Sequence, residues 1–309
     1  MKVLNITLKK ILWGLVSLFL VLSLSFFILS FLISPSGNIL INYFKYLASI
    51  FTFKFGFFAN ENNNQSFNSV PSLYTFYFSK SLLLILPSFL LALIFGAVVG
   101  SIIAYIKNKI LNNLVTITLY FLSSLPIFIL APIFIVFAEQ VNWPSVVIDF
   151  KQYNTLSSFV SLILPNLLIF IICASFFTLK VKESTQEILA HKLRDFAYAK
   201  GLSKRRIFFK HIWKNAYIKY APSIAILYAF VLSYSIIVER VFQVQGQSLI
   251  LINAFKEGEL YLILYFIFAT LVSIIVFQII VEFTLIVFNP VYKDNLYNSL
   301  WKLPRRSNE

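Results

Sequence analysis

Leu260-Tyr-Leu-Ile-Leu-Tyr-Phe-Ile-Phe-Ala-Thr-Leu-Val-Ser-Ile-Ile-Val-Phe-Gln-Ile-Ile-Val-Glu-Phe-Thr-Leu-Ile-Val-Phe288 holds one charged side chain, Glu282, in 29 residues. About 20 mostly apolar residues suffice to cross the hydrocarbon of a bilayer as a helix. Five more stretches pass the same test: Ile11–Ile33, Ser81–Tyr105, Leu114–Ala138, Leu156–Leu179 and Tyr217–Val238. Lipid offers no partner to open backbone groups, and the alternating segments of about ten residues that mark a β-barrel are missing. The expected fold is an all-α polytopic membrane protein with six transmembrane helices.

Composition agrees. The 309 residues are 59% hydrophobic and 12% charged, with a mean hydropathy of +0.83. A soluble domain is about 45–50% apolar and about 25% charged, and a chain with 35 Phe is no candidate for disorder. The first apolar stretch is too long for the roughly 7–15 residues of a signal peptide, and Ser34-Pro35 is no cleavage site. It is expected to stay as the first span. The single cysteine, Cys173, excludes an intrachain disulfide, and His191 and His211 have no ligand cluster around them, so no metal site is expected.

The net charge of +14 invites a nucleic-acid reading, but its distribution explains it. With the N-terminus inside, 20 basic residues fall on inner segments and 6 on outer ones, and 11 of the 20 lie between Lys180 and Lys219. The positive-inside rule then predicts cytoplasmic N- and C-termini and no nucleic-acid partner. The segments expected are an N-tail and first helix over 1–33, an extracytoplasmic loop over 34–80, a five-helix core over 81–288 and a cytoplasmic tail over 289–309. Within the outer loop, Ile39–Phe58 is broken by Lys45 and Lys54 and suits an interfacial helix. A second outer segment, Glu239–Glu259, turns around Gly246.

No G-x-x-x-x-G-K-[ST], H-E-x-x-H, G-x-S-x-G or C-x-x-C occurs, so neither nucleotide hydrolysis nor another catalytic chemistry is expected in this chain. Glu282 is the one carboxylate inside the spans. It fits either pairing with a lysine near the interface or a proton relay. Gly96-Ala-Val-Val-Gly100 allows two helix backbones to approach closely, within the chain or across a homodimer seam. Pro87, Pro126, Pro132, Pro165 and Pro222 suggest bent helices.

The stretch from Lys180 to Lys219 is more organised than a topology signal requires. Ser184–Ala199 reads as a helix starting at Ser184 and Thr185, with Glu187 in its first turn. Gly201 offers a left-handed stop, and Ser203 can cap a second helix over Lys204–Tyr217. Helix, glycine break and helix describe a surface for a cytosolic partner.

Asp195-Phe-Ala-Tyr-Ala-Lys-Gly201-Leu-Ser-Lys-Arg-Arg-Ile-Phe-Phe-Lys-His-Ile-Trp-Lys-Asn215-Ala216 resembles the EAA loop of ABC importer permeases, in the version of the B-type permease of oligopeptide and dipeptide (nickel) importers. The resemblance extends to Leu86-Pro87 through Gly96 and Gly100, Ser123-Ser124-Leu125-Pro126-Ile127-Phe128, Leu164-Pro165-Asn166, Val238-Glu239-Arg240-Val241-Phe242 with Gly246, and Asn289-Pro290. Departures are Asp195-Phe196 for Glu-Ala, Trp213-Lys214 for Leu-Pro, and Gln245 and Ser248 for the Pro and second Gly of the outer turn.

The resemblance implies a type I importer permease in a bacterial cytoplasmic membrane, with no cofactor of its own. It implies four kinds of partner: a homologous C-type permease, two cytosolic ABC ATPases, an extracytoplasmic peptide-binding protein and membrane lipid. Asp195, Ala197, Lys200, Gly201, Ser203, Arg205, Arg206 and Asn215 would form the ATPase-coupling loop at 180–216. Glu239 and Gly246 would face the binding protein. A secondary carrier or channel for a small solute is the alternative, and it would need buried ionisable groups.

Overall fold

The computed structural model describes residues 2–33, 38–58, 67–148, 155–190 and 201–288, and every regular element among them is helical. Five helices are long and apolar enough to cross a membrane: α1 (Lys2–Ile33), α3 (Val70–Ile103), α6 (Thr155–Ala190), α9 (Pro222–Val241) and α11 (Leu260–Phe288). A short helix, α2 (Ile39–Phe51), follows α1. Asn38 caps it by accepting from Leu40 N at 3.1 Å, and its buried Tyr46 stacks on Phe26 at 5.4 Å.

The sixth expected span is not one straight helix. α4 (Lys109–Ser124) and α5 (Ile127–Gln140) meet at 92° around Leu125-Pro126. Proline lacks the N–H that would continue the helix and pushes the residue before it out of helical conformation. Leu125 accordingly sits at φ −64, ψ 127. Pro87, Pro132 and Pro165 lie inside continuous helices instead. Pro87 shows how this is tolerated. It leaves Leu83 O, four residues back, without a helical donor, and Asn166 Nδ2 of α6 donates to that carbonyl at 3.2 Å.

Two expected boundaries move. α3 begins at Val70, where Ser69 and Ser72 form a reciprocal capping box, so residues 70–80 of the expected outer loop are helix. α6 does not end at the membrane edge near Leu179. It continues to Ala190, so Ser184 and Thr185 lie within a helix and do not start one. Apolarity stops there but helix propensity does not, because no glycine or proline intervenes and Lys180 pairs with Glu183 one turn on.

After Gly201 come α7 (Lys204–Ile207), a π-helical turn (Phe208–Trp213) and α8 (Lys214–Tyr220), and α9 follows. The expected single helix over Lys204–Tyr217 is thus widened in its middle. Between α9 and α11 lies α10 (Gln247–Glu257), ended by Gly258 at φ +68.

The main core joins α3, α5, α6, α8, α9 and the far part of α11. A second, smaller core joins α1, α2, the start of α3, α10 and the start of α11. The seam of α3 and α6 depends on glycine. A Cβ on Gly100 would lie 2.6 Å from Thr178 O, and one on Gly96 would lie 2.7 Å from the Phe177 ring.

Candidate functional site

At the basic end of the bundle, Gly201 adopts φ +71 with open space around it, and Ser203 Oγ accepts from Arg206 N at 3.4 Å. Arg205 and Arg206 project into the open. Asn215 does not present its amide outward, since Nδ2 donates to His211 O at 2.6 Å within the widened helix. Asp195, Ala197 and Lys200 lie outside the described residues.

Side chains that sequence reasoning missed lock this end together. Lys219 of α8 pairs with Glu187 on the extension of α6. The Tyr217 hydroxyl bonds Thr284 of α11. Lys182, only 4% exposed, donates to Thr116 of α4. Each bond joins partners more than 30 positions apart, so no local spacing announces it. Together they tie the basic segment to three apolar elements.

The opposite end carries a buried polar cluster. Glu239 at the end of α9 is 0% exposed, and its Oε2 accepts from Ser248 N at 2.9 Å. Ser81 Oγ of α3 accepts from Gln247 N at 2.8 Å, and Gln247 Nε2 donates to Ser235 Oγ at 3.0 Å. The first N–H groups of α10 are therefore capped by side chains from α9 and α3. A carboxylate at a helix N-terminus also meets the positive end of its dipole. Gly246 is required for this approach, because a Cβ there would sit 2.5 Å from Ser81 Oγ and 2.6 Å from Glu239 Oε2. Glu239 and Gly246, seven positions apart in sequence, thus form one site. Ser248 contributes a backbone N–H, which any residue but proline supplies. Lys80 donates to Gln245 Oε1 at 2.9 Å at the rim.

Among the described residues, no group of three or more His, Cys, Asp or Glu could hold a metal ion. The two ends share a helical core, and that core is what the comparison with known proteins recognises. The signature of the family described as "binding-protein-dependent transport system inner membrane component" matches residues 96–290. The chain belongs to this family.

The match runs from Gly96 through the basic segment and the Glu239 cluster to Pro290. Among relatives, the chain is 27% identical over 285 residues to the peptide transport system permease protein SapB of Haemophilus influenzae, covering 82% of this chain and 86% of that protein. It is 23% identical over 293 residues to the oligopeptide transport system permease protein OppB of Mycoplasma genitalium, covering 84% and 69%. The glutathione transport system permease protein GsiC of Escherichia coli strain K12 is 28% identical over 184 residues, covering 59% and 58%. This inner membrane component is accordingly a multi-pass ABC importer permease.

Proposed function

We propose that this permease forms half of the pathway of an ATP-driven importer for short peptides, and that cytosolic ATPases act on it through the segment around Gly201. The observation that carries the reading is the bonding of the basic end. Glu187–Lys219 and Tyr217–Thr284 connect the exposed cationic segment to α6 and α11, and Lys182–Thr116 ties α6 to α4. Motion imposed on that segment would tilt the spans as a unit. Partners under this reading are a homologous C-type permease, two ABC ATPases and a binding protein at the Glu239 end. Peptide is chosen as cargo because SapB and OppB are named for peptide and oligopeptide transport.

Glu282 bears on the energy source. It pairs with Lys10 of α1, which supports a structural carboxylate over a stage in a proton relay. Glu282→Gln should keep ATP-dependent uptake unchanged by a collapsed proton gradient, whereas loss of gradient-driven uptake would favour a secondary carrier.

The deciding experiment is co-purification of the tagged chain from its native membrane, followed by reconstitution with labelled peptide. Recovery of a second permease and P-loop ATPases is expected. Valine at Gly201 adds a β-branched side chain in left-handed backbone, a strain of about 1–2 kcal/mol, with no neighbour to clash against. Gly201→Val should let ATP hydrolysis continue while peptide uptake falls at least tenfold. Uptake and hydrolysis that stay coupled in this variant would overturn the role given to the segment.

A further inference from the structure

An open groove of about 540 Å³ runs between α3 and the π turn at the basic end. One wall is α3 from Leu93 to Ile102 with Tyr105 just beyond its end, and the other is Phe208, Phe209 and Trp213. At about 1.5 Å per residue the α3 wall is roughly 14 Å long. One leaflet of a bilayer with a hydrocarbon core of about 30 Å is about that deep. The lining is almost wholly apolar, and the Ser101 hydroxyl is already turned back to Ala97 O at 2.7 Å. Tyr105 closes one end with its ring 6.2 Å from Phe208. Amphipathic aromatics of this kind mark the level of lipid headgroups.

That closed end is rimmed by cations. Lys107 and Lys109 flank the turn between α3 and α4, and Lys210 and Lys214 flank the aromatic wall. All four are exposed, and none has a carboxylate partner among the described residues. Three acidic groups of this end, among the described residues, are engaged elsewhere. Glu183 meets Lys180 at 3.2 Å and Tyr120 at 2.7 Å, Glu187 meets Lys219, and Glu282 meets Lys10.

We infer that this groove binds an anionic phospholipid of the adjoining leaflet, with an acyl chain along α3 and the headgroup phosphate among Lys107, Lys109, Lys210 and Lys214. Lipid fits better than a protein helix because the depth matches one leaflet, the lining is almost wholly apolar, and exposed lysines adjoin the end that Tyr105 closes. A second groove supplies an internal control. It has the same volume, about 540 Å³, between Leu83–Leu91 of α3 and Phe159–Phe170 of α6. Lys80, one turn before Leu83 on α3, is committed to Gln245. It should take lipid tails without preference for headgroup charge.

The test uses the co-purified transporter in phosphatidylcholine nanodiscs. Each disc carries trace phosphatidylglycerol or phosphatidylcholine with a photoreactive group in the acyl chain, and labelled residues are mapped by mass spectrometry. The phosphatidylglycerol probe should label α3 between Ile94 and Ile102 at least tenfold more than the phosphatidylcholine probe. In Lys107→Gln/Lys210→Gln that labelling should fall about fivefold per lysine removed, the loss for one basic group near an anionic surface. Labelling of the Leu83–Phe159 groove should not change. Val98→Trp, filling the groove from its exposed face, should abolish the label with the rim intact. Equal labelling by both probes would reduce the groove to ordinary lipid contact and overturn the inference. So would cross-links from the groove to another protein chain with no lipid label. Neither outcome depends on the cargo or on the role of Gly201.

Discussion

Asn166 serves two helices at once. Its Nδ2 donates to Leu162 O of its own helix and to Leu83 O of α3, while its Oδ1 accepts from Ser88 Oγ at 2.8 Å. Leucine at this position strands the acceptor that Pro87 created, and an unpaired buried polar group costs roughly 1–3 kcal/mol. Pro87→Ala restores an N–H to reach Leu83 O along α3. Asn166→Leu should therefore lower the melting temperature in detergent, and the double variant should recover most of the loss. Simple addition of the two losses would show that the proline and the asparagine are independent. Glu239 gives a second test. Glu239→Gln keeps an acceptor for Ser248 N and should melt close to wild type, whereas Glu239→Ala should lose roughly 1–3 kcal/mol. A glutamine variant as weak as alanine would assign the stabilisation to the charge at the start of α10. Glu239 and Gly246 were legible as a motif. Ser81, which completes their site by accepting from Gln247 N 166 positions along the chain, was not, because a lone serine near the start of an apolar run carries no signal of its own.

At the scale of elements, the informative case is α6. Hydropathy locates where the chain leaves the membrane, which need not be where the helix ends. The backbone follows a different rule: a helix persists until something stops it, and nothing does before Ala190. This extension places Glu187 within reach of Lys219. The pair is largely exposed, so its worth to stability is about 1 kcal/mol or less. Glu187→Lys and Lys219→Glu should each leave expression and melting nearly unchanged while reducing ATP-coupled uptake. The combined reversal, which restores attraction, should recover uptake. If both single reversals transport normally, the pair is not part of the force path. The stop at Gly201 and the cap at Ser203 were readable because glycine and serine carry their local conformations with them. The π turn over Phe208–Trp213 was not, since no glycine or proline there marks it.

For the whole molecule, charge asymmetry predicts that the basic end faces the cytosol and Arg240 faces outward. Cys173 is fully buried, so an engineered thiol would be the accessible one among the described residues. Lys109→Cys should react with a membrane-impermeant maleimide only in inverted vesicles, and Arg240→Cys only in intact cells. The reverse pattern would invert the topology and, with it, the placing of ATPases and binding protein. By itself the sequence determined the class of fold, the number of apolar crossings to within the bent one, and the family. Those properties are sums over many residues, and apolar length, basic-residue bias and ordered motifs survive any single departure. Tertiary structure alone decided the capping of α10 by α3 and α9 and the pairing of Glu282 with Lys10. Each of these depends on which distant group lies within about 3 Å, and that distance exists only once the helices have packed.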